Sequence, residues 1–345
     1  MKALVYHGPF DIRYDSHDDP SLECETDVII KVDLCAICGS DLHIYHGHGF
    51  SKDHGFCVGH ESVGEVVEIG KSVRRLKVGD KIMVSGAVGC GDCARCFSGQ
   101  VERCLKGMMG CYGLSAALQG GQAEALRVPM ADFNAALIPE GITNVQALML
   151  TDAMATAWFG CRNARIGPGN HVVVVGLGPI GLMAVEAAFV MGAASVYAID
   201  LVASRREMAR SMGAIALAPD SAPEGIAEAT RGLGADCVIE AVGADATIKL
   251  ALNLVGRGGA VSVIGVNQNM DFSFPMGLAF FKGITFSIGT CGVPQYWREL
   301  VPLIQQGRLH PERLVSHTMP LSEGRKAYEI FDKRDEGALK MVLTP

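Results

Sequence analysis

The chain has 345 residues, of which 49% are hydrophobic and 42 are glycine, and its formal net charge is -7. Such a length favours two domains over a single core. An acidic balance with no basic block excludes a nucleic-acid surface. Met1–Tyr6 is too short and too mixed to read as a signal peptide, and no apolar run reaches the ~20 residues of a membrane helix, so a cytoplasmic protein is expected.

Residues 1 to about 150 look rich in short strands: 28–32, 64–69 and 78–84 are β-branched or apolar runs bounded by turn residues. Frequent glycines between short strands suggest a small barrel or sandwich. Two clusters of possible metal ligands fall within this region. The first is Cys38-Gly39-Ser40-Asp41-Leu42-His43, followed by Gly59-His60-Glu61. Cysteine and histidine are zinc ligands, and a hydroxyl beside a ligand can pass on a proton from a bound oxygen. Cys38 and His60 need a third partner. Asp152, at the junction with the second region, supplies it, although it also suits a helix N-cap. Glu61 is either a fourth ligand or a group behind the ligands. An open position in such a set is what a catalytic zinc requires.

The second cluster is Cys90, Cys93, Cys96 and Cys104, spaced C-x2-C-x2-C-x7-C. Four thiolates this close can enclose one tetrahedral zinc with no open position, which makes the site structural. An iron–sulfur cluster is the competing reading. Of the twelve cysteines, Cys24, Cys35, Cys57, Cys161 and Cys237 are expected to be buried small side chains, while Cys111 and Cys291 could border a cleft. His46, His48 and His54 read as solvated or near substrate.

After about residue 150 the pattern alternates strand and helix, which implies a parallel, doubly wound sheet. The apolar run 172–175 leads into Gly176-Leu177-Gly178-Pro179-Ile180-Gly181, then a helix, then strand 196–199 ending at Asp200. Strand, glycine fingerprint, helix, strand and acid in this order form a dinucleotide site. Gly176 permits the tight turn, Gly178 the approach of a pyrophosphate, and Gly181 the packing of helix on sheet. Asp200 can accept from ribose hydroxyls and repels a 2′-phosphate, which favours NAD over NADP. Arg205 and Arg206 could partly offset that repulsion, but they read better as a solvated first turn of the next helix. Further strands are expected at 237–239, 261–264 and 284–288, with helices at 204–212 and 246–255. The C-terminal segment reads as helices 298–306 and 322–332 and a last strand at 338–343.

With these motifs in place the chain resembles the zinc-containing medium-chain alcohol dehydrogenases over essentially its whole length. Gly59-His60-Glu61-Ser62-Val63-Gly64, with Gly70 and Val73, matches that family's zinc signature. The resemblance implies a GroES-like β-barrel catalytic domain from residues 1–153 and 292–345, carrying a structural zinc lobe at 88–106. It implies a Rossmann NAD-binding domain from 154–291. It implies zinc ligation by Cys38, His60 and Asp152, a proton relay through Ser40 and His43, and cofactor contacts from Thr156, Arg205, Val242, Val266 and Lys340. Lys340 matches a position that often carries a pyrophosphate-binding base. Gly39 departs from the pattern, standing where liver-type enzymes have such an arginine. A weaker similarity, through 38–47 and 331–334, points to a bacterial branch near the formaldehyde dehydrogenases.

The expected activity is reversible hydride transfer between an alcohol and NAD, with two zinc ions per chain. Rivals are a polyol or threonine-type dehydrogenase, a formaldehyde dehydrogenase or dismutase with tightly held NAD, and a non-catalytic NAD-binding protein. The apolar strand 284–288 is expected at a sheet edge, where pairing with a second subunit would cover it. A homotetramer is expected, with a dimer as the alternative.

Overall fold

The computed structural model describes residues 1–49, 51–106 and 110–345, with Glu336 described by its backbone alone. The chain divides into two compact units, Met1–Ala155 with Cys291–Pro345, and Thr156–Thr290.

The first unit is built around the ten-residue strand Val28–Ile37. It pairs antiparallel with Glu61–Ile69, with Ala125–Val128 near its start and with the C-terminal strand Lys340–Thr344 near its end. The full sheet runs Ala135–Leu137, Lys81–Val84, Glu61–Ile69, Val28–Ile37, Lys340–Thr344 and Val315–Pro320, with Ala125–Val128 branching from Val28–Ile37. Alternate residues of the central strand, Val28, Ile30 and Val32, enter one core with Ile82, Val84, Leu126 and Val128, as the two-residue period of a strand dictates. The helix Gly324–Lys333 closes this core with Ala327, Tyr328, Ile330 and Phe331. The last segment of the chain thus completes a core begun by the first.

The second unit is a six-stranded, all-parallel sheet. Its order is Ile215–Leu217, Ser195–Ile199, His171–Val175, Ala235–Glu240, Val255–Val263 and Thr285–Ile288. The chain order reverses between His171–Val175 and Ala235–Glu240, and ligands of doubly wound sheets bind at the carboxyl ends of strands flanking such a switch. The helix Pro179–Val190 starts directly after the glycine turn, with Pro179 in its first turn and Gly178 as its N-cap. Thr285–Ile288 is the outermost strand of the sheet.

Candidate metal centres and dinucleotide turn

Strand register brings Cys38 to His60. Ala36 lies opposite Glu61 in the antiparallel pair. Continuing that register by two residues places Cys38 beside Gly59–His60. Asp152 arrives from the turn between helices Asn144–Leu150 and Ala153–Asn163. Gly86 makes room for it: its N–H donates to the Thr151 carbonyl at 2.9 Å, and a Cβ there would stand 3.0 Å from the His60 carbonyl and 3.6 Å from the Asp152 Cβ. The result is one tight group. Asp152 Oδ2 lies 3.5 Å from Cys38 Sγ and 3.5 Å from His60 Nε2. In a tetrahedral zinc site such ligand atoms stand about 3.3–3.5 Å apart. Among the described residues, Cys38, His60 and Asp152 form one of two groups able to hold a metal ion.

The electrostatics also fit a cation. Burial and the Asp152 carboxylate push the Cys38 thiol up. Burial disfavours a charged His60, yet Cys111, Asp41 and Asp152 together raise its pKa well above the ordinary histidine value. Two carboxylates, Asp41 and Asp152, flank this imidazole at 3.1 and 3.5 Å, a negative charge that a divalent ion would balance while turning the thiol into a thiolate. Ser40 precedes the short helix Asp41–Tyr45 and makes no side-chain capping bond. Its Oγ instead lies 3.3 Å from His60 Nε2, at the edge of the ligand group. His43 is half-buried, and burial, then His46 and His48, hold its pKa below the usual value.

The four cysteines form the second metal-sized group. Cys90 Sγ and Cys96 Sγ are 3.9 Å apart. That is far beyond a disulfide and close to the about 3.8 Å expected of two thiolates on one tetrahedral zinc. The N–H groups of Cys96 and Leu105 point at Cys93 Sγ and draw that thiol down to about 6. The fully buried Asn134 clamps the entrance, accepting from Gly89 N–H and donating to the Gly89 and Pro129 carbonyls.

In the second unit the glycine turn has the shape of a phosphate cradle. Gly176 has φ +91°, and a Cβ on it would meet Val242 Cγ2 at 2.3 Å. A Cβ on Gly181 would stand 1.8 Å from the Gly176 carbonyl oxygen, so only glycine lets this helix sit on its turn. A Cβ on Gly178 would meet nothing within 4 Å. The first turn of Pro179–Val190 has no side-chain cap and no acidic residue, leaving its N–H groups for an anion. Asp200 Oδ2 accepts from Leu177 N–H and Oδ1 from Val202 N–H, both at 2.7 Å, which holds the carboxylate against the turn.

Residues 24–140 match the family described as alcohol dehydrogenase GroES-like domain, and residues 179–306 the family described as zinc-binding dehydrogenase. Over 345 residues, 100% of this chain and 89% of the relative, the sequence is 42% identical to a Mycobacterium tuberculosis protein described as a probable zinc-binding alcohol dehydrogenase. The chain belongs to the zinc-containing medium-chain alcohol dehydrogenases. Among solved structures, alcohol dehydrogenase TADH from Thermus sp. ATN1 superposes with a TM-score of 0.94 at 38% identity, covering 100% of this chain and 99% of that one. A zinc-dependent alcohol dehydrogenase from Streptococcus pneumonia, in its apo form, gives 0.92 at 32% identity, covering 100% and 98%.

Within this family member the structure corrects several expectations. Lys340, which the resemblance places at a pyrophosphate-binding position, is buried within the first unit. It is 1% exposed, and its ammonium is paired with Glu61 and donates to the Ile37 carbonyl. Burial opposes that charge, but the adjacent Glu61 overrides it and raises the Lys340 pKa. Glu61, fully buried, therefore has a cationic partner of its own and stands outside the group of three ligand atoms. Arg206 does not neutralise the Asp200 carboxylate; its guanidinium donates to the Asp200 and Leu201 carbonyls, both at 2.8 Å. Arg205 and Thr156 are half-buried, as is Val266. Ile180 lies in the first turn of the dinucleotide helix. Cys24 is exposed where a buried side chain was expected, Cys111 is half-buried, and Cys291 is buried. No hydrogen bond joins the Ser40 hydroxyl to the His43 ring among the described residues.

Two buried carboxylates beside the candidate sites escaped the sequence reading. Asp41 is 1% exposed, and its Oδ1 lies 3.1 Å from His60 Nδ1. Its Oδ2 accepts from Cys38 N–H at 2.9 Å, so one carboxylate positions two of the three prospective ligands. Glu240, fully buried at the end of its strand, accepts from the N–H groups of Val242 and Gly243 and holds the loop that covers Gly176. Asp41 sits one residue from Ser40, and that adjacency was its only signal.

Proposed function

We propose that Cys38, His60 and Asp152 hold the catalytic zinc of an NAD-linked alcohol dehydrogenase, and that Cys90, Cys93, Cys96 and Cys104 hold a second, structural zinc. The convergence of three ligand atoms with the Ser40 hydroxyl beside them carries this reading. When bound, zinc supplies Lewis acidity that lowers the pKa of a substrate hydroxyl, and the nicotinamide supplies the hydride acceptor. The chain's own residues orient and discharge the substrate. Ser40 Oγ, free of any capping bond, takes the hydroxyl proton. His43, whose pKa burial lowers, is the next acceptor in this proposed relay, reached through an intervening hydroxyl because, among the described residues, no hydrogen bond joins it to Ser40 directly. Asp41 holds His60 with its proton on Nδ1, leaving the Nε2 lone pair for the ion.

A screen of primary, secondary and polyol substrates with NAD and NADP, followed by absorbance of the reduced cofactor, tests this reading. Metal-replete protein that turns over none of them contradicts it. His43→Gln is expected to lower kcat/KM for alcohol oxidation about 100-fold. A lowered pKa keeps the accepting, neutral form present to lower pH. The acid limb of the wild-type profile should therefore lie below the ordinary histidine range and disappear in the variant.

Asp200 favours NAD because its carboxylate is uncompensated by Arg206. Asp200→Ser is expected to raise the NADP-to-NAD ratio of kcat/KM by at least about 10-fold; an unchanged ratio would place cofactor choice elsewhere. The remaining parts of the reading are a cytoplasmic location and a homotetramer. The first is supported by twelve free cysteines; pairing of subunits, in a dimer or within a tetramer, is supported by the outermost strand Thr285–Ile288, where Ile288 is 56% exposed.

A further inference from the structure

Behind Asp41 the structure continues a buried polar chain that the dehydrogenase reading does not require. We propose that Gln122 is a positioning residue for the metal ligand His60, acting through Asp41 and held in orientation by Tyr328. The inference rests on Cys38, His60 and Asp152 being the catalytic metal site.

Gln122 is fully buried, and its backbone is tied on both sides, to Leu4 N–H and to the Val58 carbonyl. Its side chain passes directly behind the residue before His60. Gly59 has φ +89°, and a Cβ on it would stand 2.3 Å from Gln122 Cγ, so glycine there is what admits the amide. The amide nitrogen donates to the Ala36 carbonyl at 3.0 Å and to Asp41 Oδ2 at 3.2 Å. A carbonyl and a carboxylate can only accept, so the NH2 end must face them. The amide oxygen is thereby turned to Tyr328, whose hydroxyl donates to it at 2.9 Å. Both N–H bonds and the oxygen are thus satisfied, and the direction of each is dictated by chemistry.

Tyr328 is itself fully buried, on the helix Gly324–Lys333. Its ring packs on Tyr45 with centroids 5.5 Å apart, and one turn further on Asp332 pairs with His46 at 2.7 Å. The C-terminal helix therefore braces the Asp41–Tyr45 helix from outside and, through Gln122, from within. An apolar side chain would fill the same volume without desolvating an amide. What the amide adds is direction: it pins Asp41 Oδ2 between two donors, Cys38 N–H and Gln122 N–H, so that Oδ1 must face His60 Nδ1.

The test compares Gln122→Met, Tyr328→Phe and the double variant. Zinc content, zinc affinity against a chromogenic chelator, and the visible spectrum of the cobalt-substituted protein are read for each. Gln122→Met is expected to weaken the Cys38 site about 10–100-fold and to shift its cobalt bands. The four-cysteine ion, which shares no partner with Gln122, stays as the internal reference. Tyr328→Phe, which removes one oxygen and keeps the ring, moves the same readouts less. The double variant is no worse than Gln122→Met alone, because both residues act through one chain of bonds. Parental affinity in both single variants, additive losses in the double, or equal weakening of both metal sites would overturn the proposal; the last would make Gln122 an ordinary core residue. If Gln122→Met does not fold, Tyr328→Phe carries the test alone. Failure of the metal-site reading shows separately, as a Cys38→Ser protein that still holds two zinc ions.

Discussion

Cys38→Ser is expected to lower kcat/KM by at least about 1000-fold, which corresponds to about 4 kcal/mol of transition-state stabilisation. The thiolate is the softest of the three prospective ligands, and a serine hydroxyl does not replace it. The loss should be specific. Zinc should fall from two ions per chain to one, because the four-cysteine group uses separate ligands. NAD should still bind, because the glycine turn and Asp200 belong to the unit Thr156–Thr290, which contains none of these ligands. The fold should survive, since Cys38 makes its defining contact with Asp152 and its backbone N–H stays on Asp41. Metal analysis, titration of NAD and steady-state kinetics check the three parts. A variant with full activity would rule out a catalytic metal at this site.

Cys104→Ser is expected to act on stability instead. The buried cluster of the lobe consists of Cys90, Cys93, Cys96 and Cys104, with Phe133 packed against it. Among the described residues of the lobe Phe97 is 76% and Leu105 68% exposed, and Val88 and Val101 are its buried aliphatic side chains, so a bound ion is expected to hold it. Losing that ion should cost at least about 3 kcal/mol, and a domain of this size then melts about 6–12 °C lower. Differential scanning calorimetry and zinc content follow the change. An unchanged melting temperature with one zinc fewer would mean that the lobe folds on its own contacts. Unchanged zinc content would mean that the fourth thiolate is not a ligand.

Legibility in the sequence followed the range of the interaction. The four cysteines lie within fifteen residues, and the glycine fingerprint within six, so their geometry is nearly local. The alternation of strands and helices after residue 150 announced the parallel sheet for the same reason: each period is a property of one segment. Asp152 was reached only as an uncertain third ligand, because nothing local distinguishes a ligand from a helix cap. The burial of Lys340 had no local signal. Its match to a phosphate-binding position says nothing of its neighbours, and the register of Met341 opposite Ile37 sets it beside Glu61. Gln122 and Tyr328 gave no signal, for they are 206 residues apart and meet each other, and through Gln122 reach Asp41, only in the folded core.

The sequence by itself determined the family and marked the two clusters of prospective metal ligands, the glycine turn and the acid beside it. These depend on spacing along the chain, which covalent geometry preserves. Only the tertiary structure decided which carboxylate faces His60, which ammonium neutralises Glu61 and which helix braces the ligand loop. Those choices are set by strand register and by the close approach permitted at Gly59 and Gly86. They join the first and last parts of the chain, and a buried polar group there takes the partner that packing brings within hydrogen-bond distance.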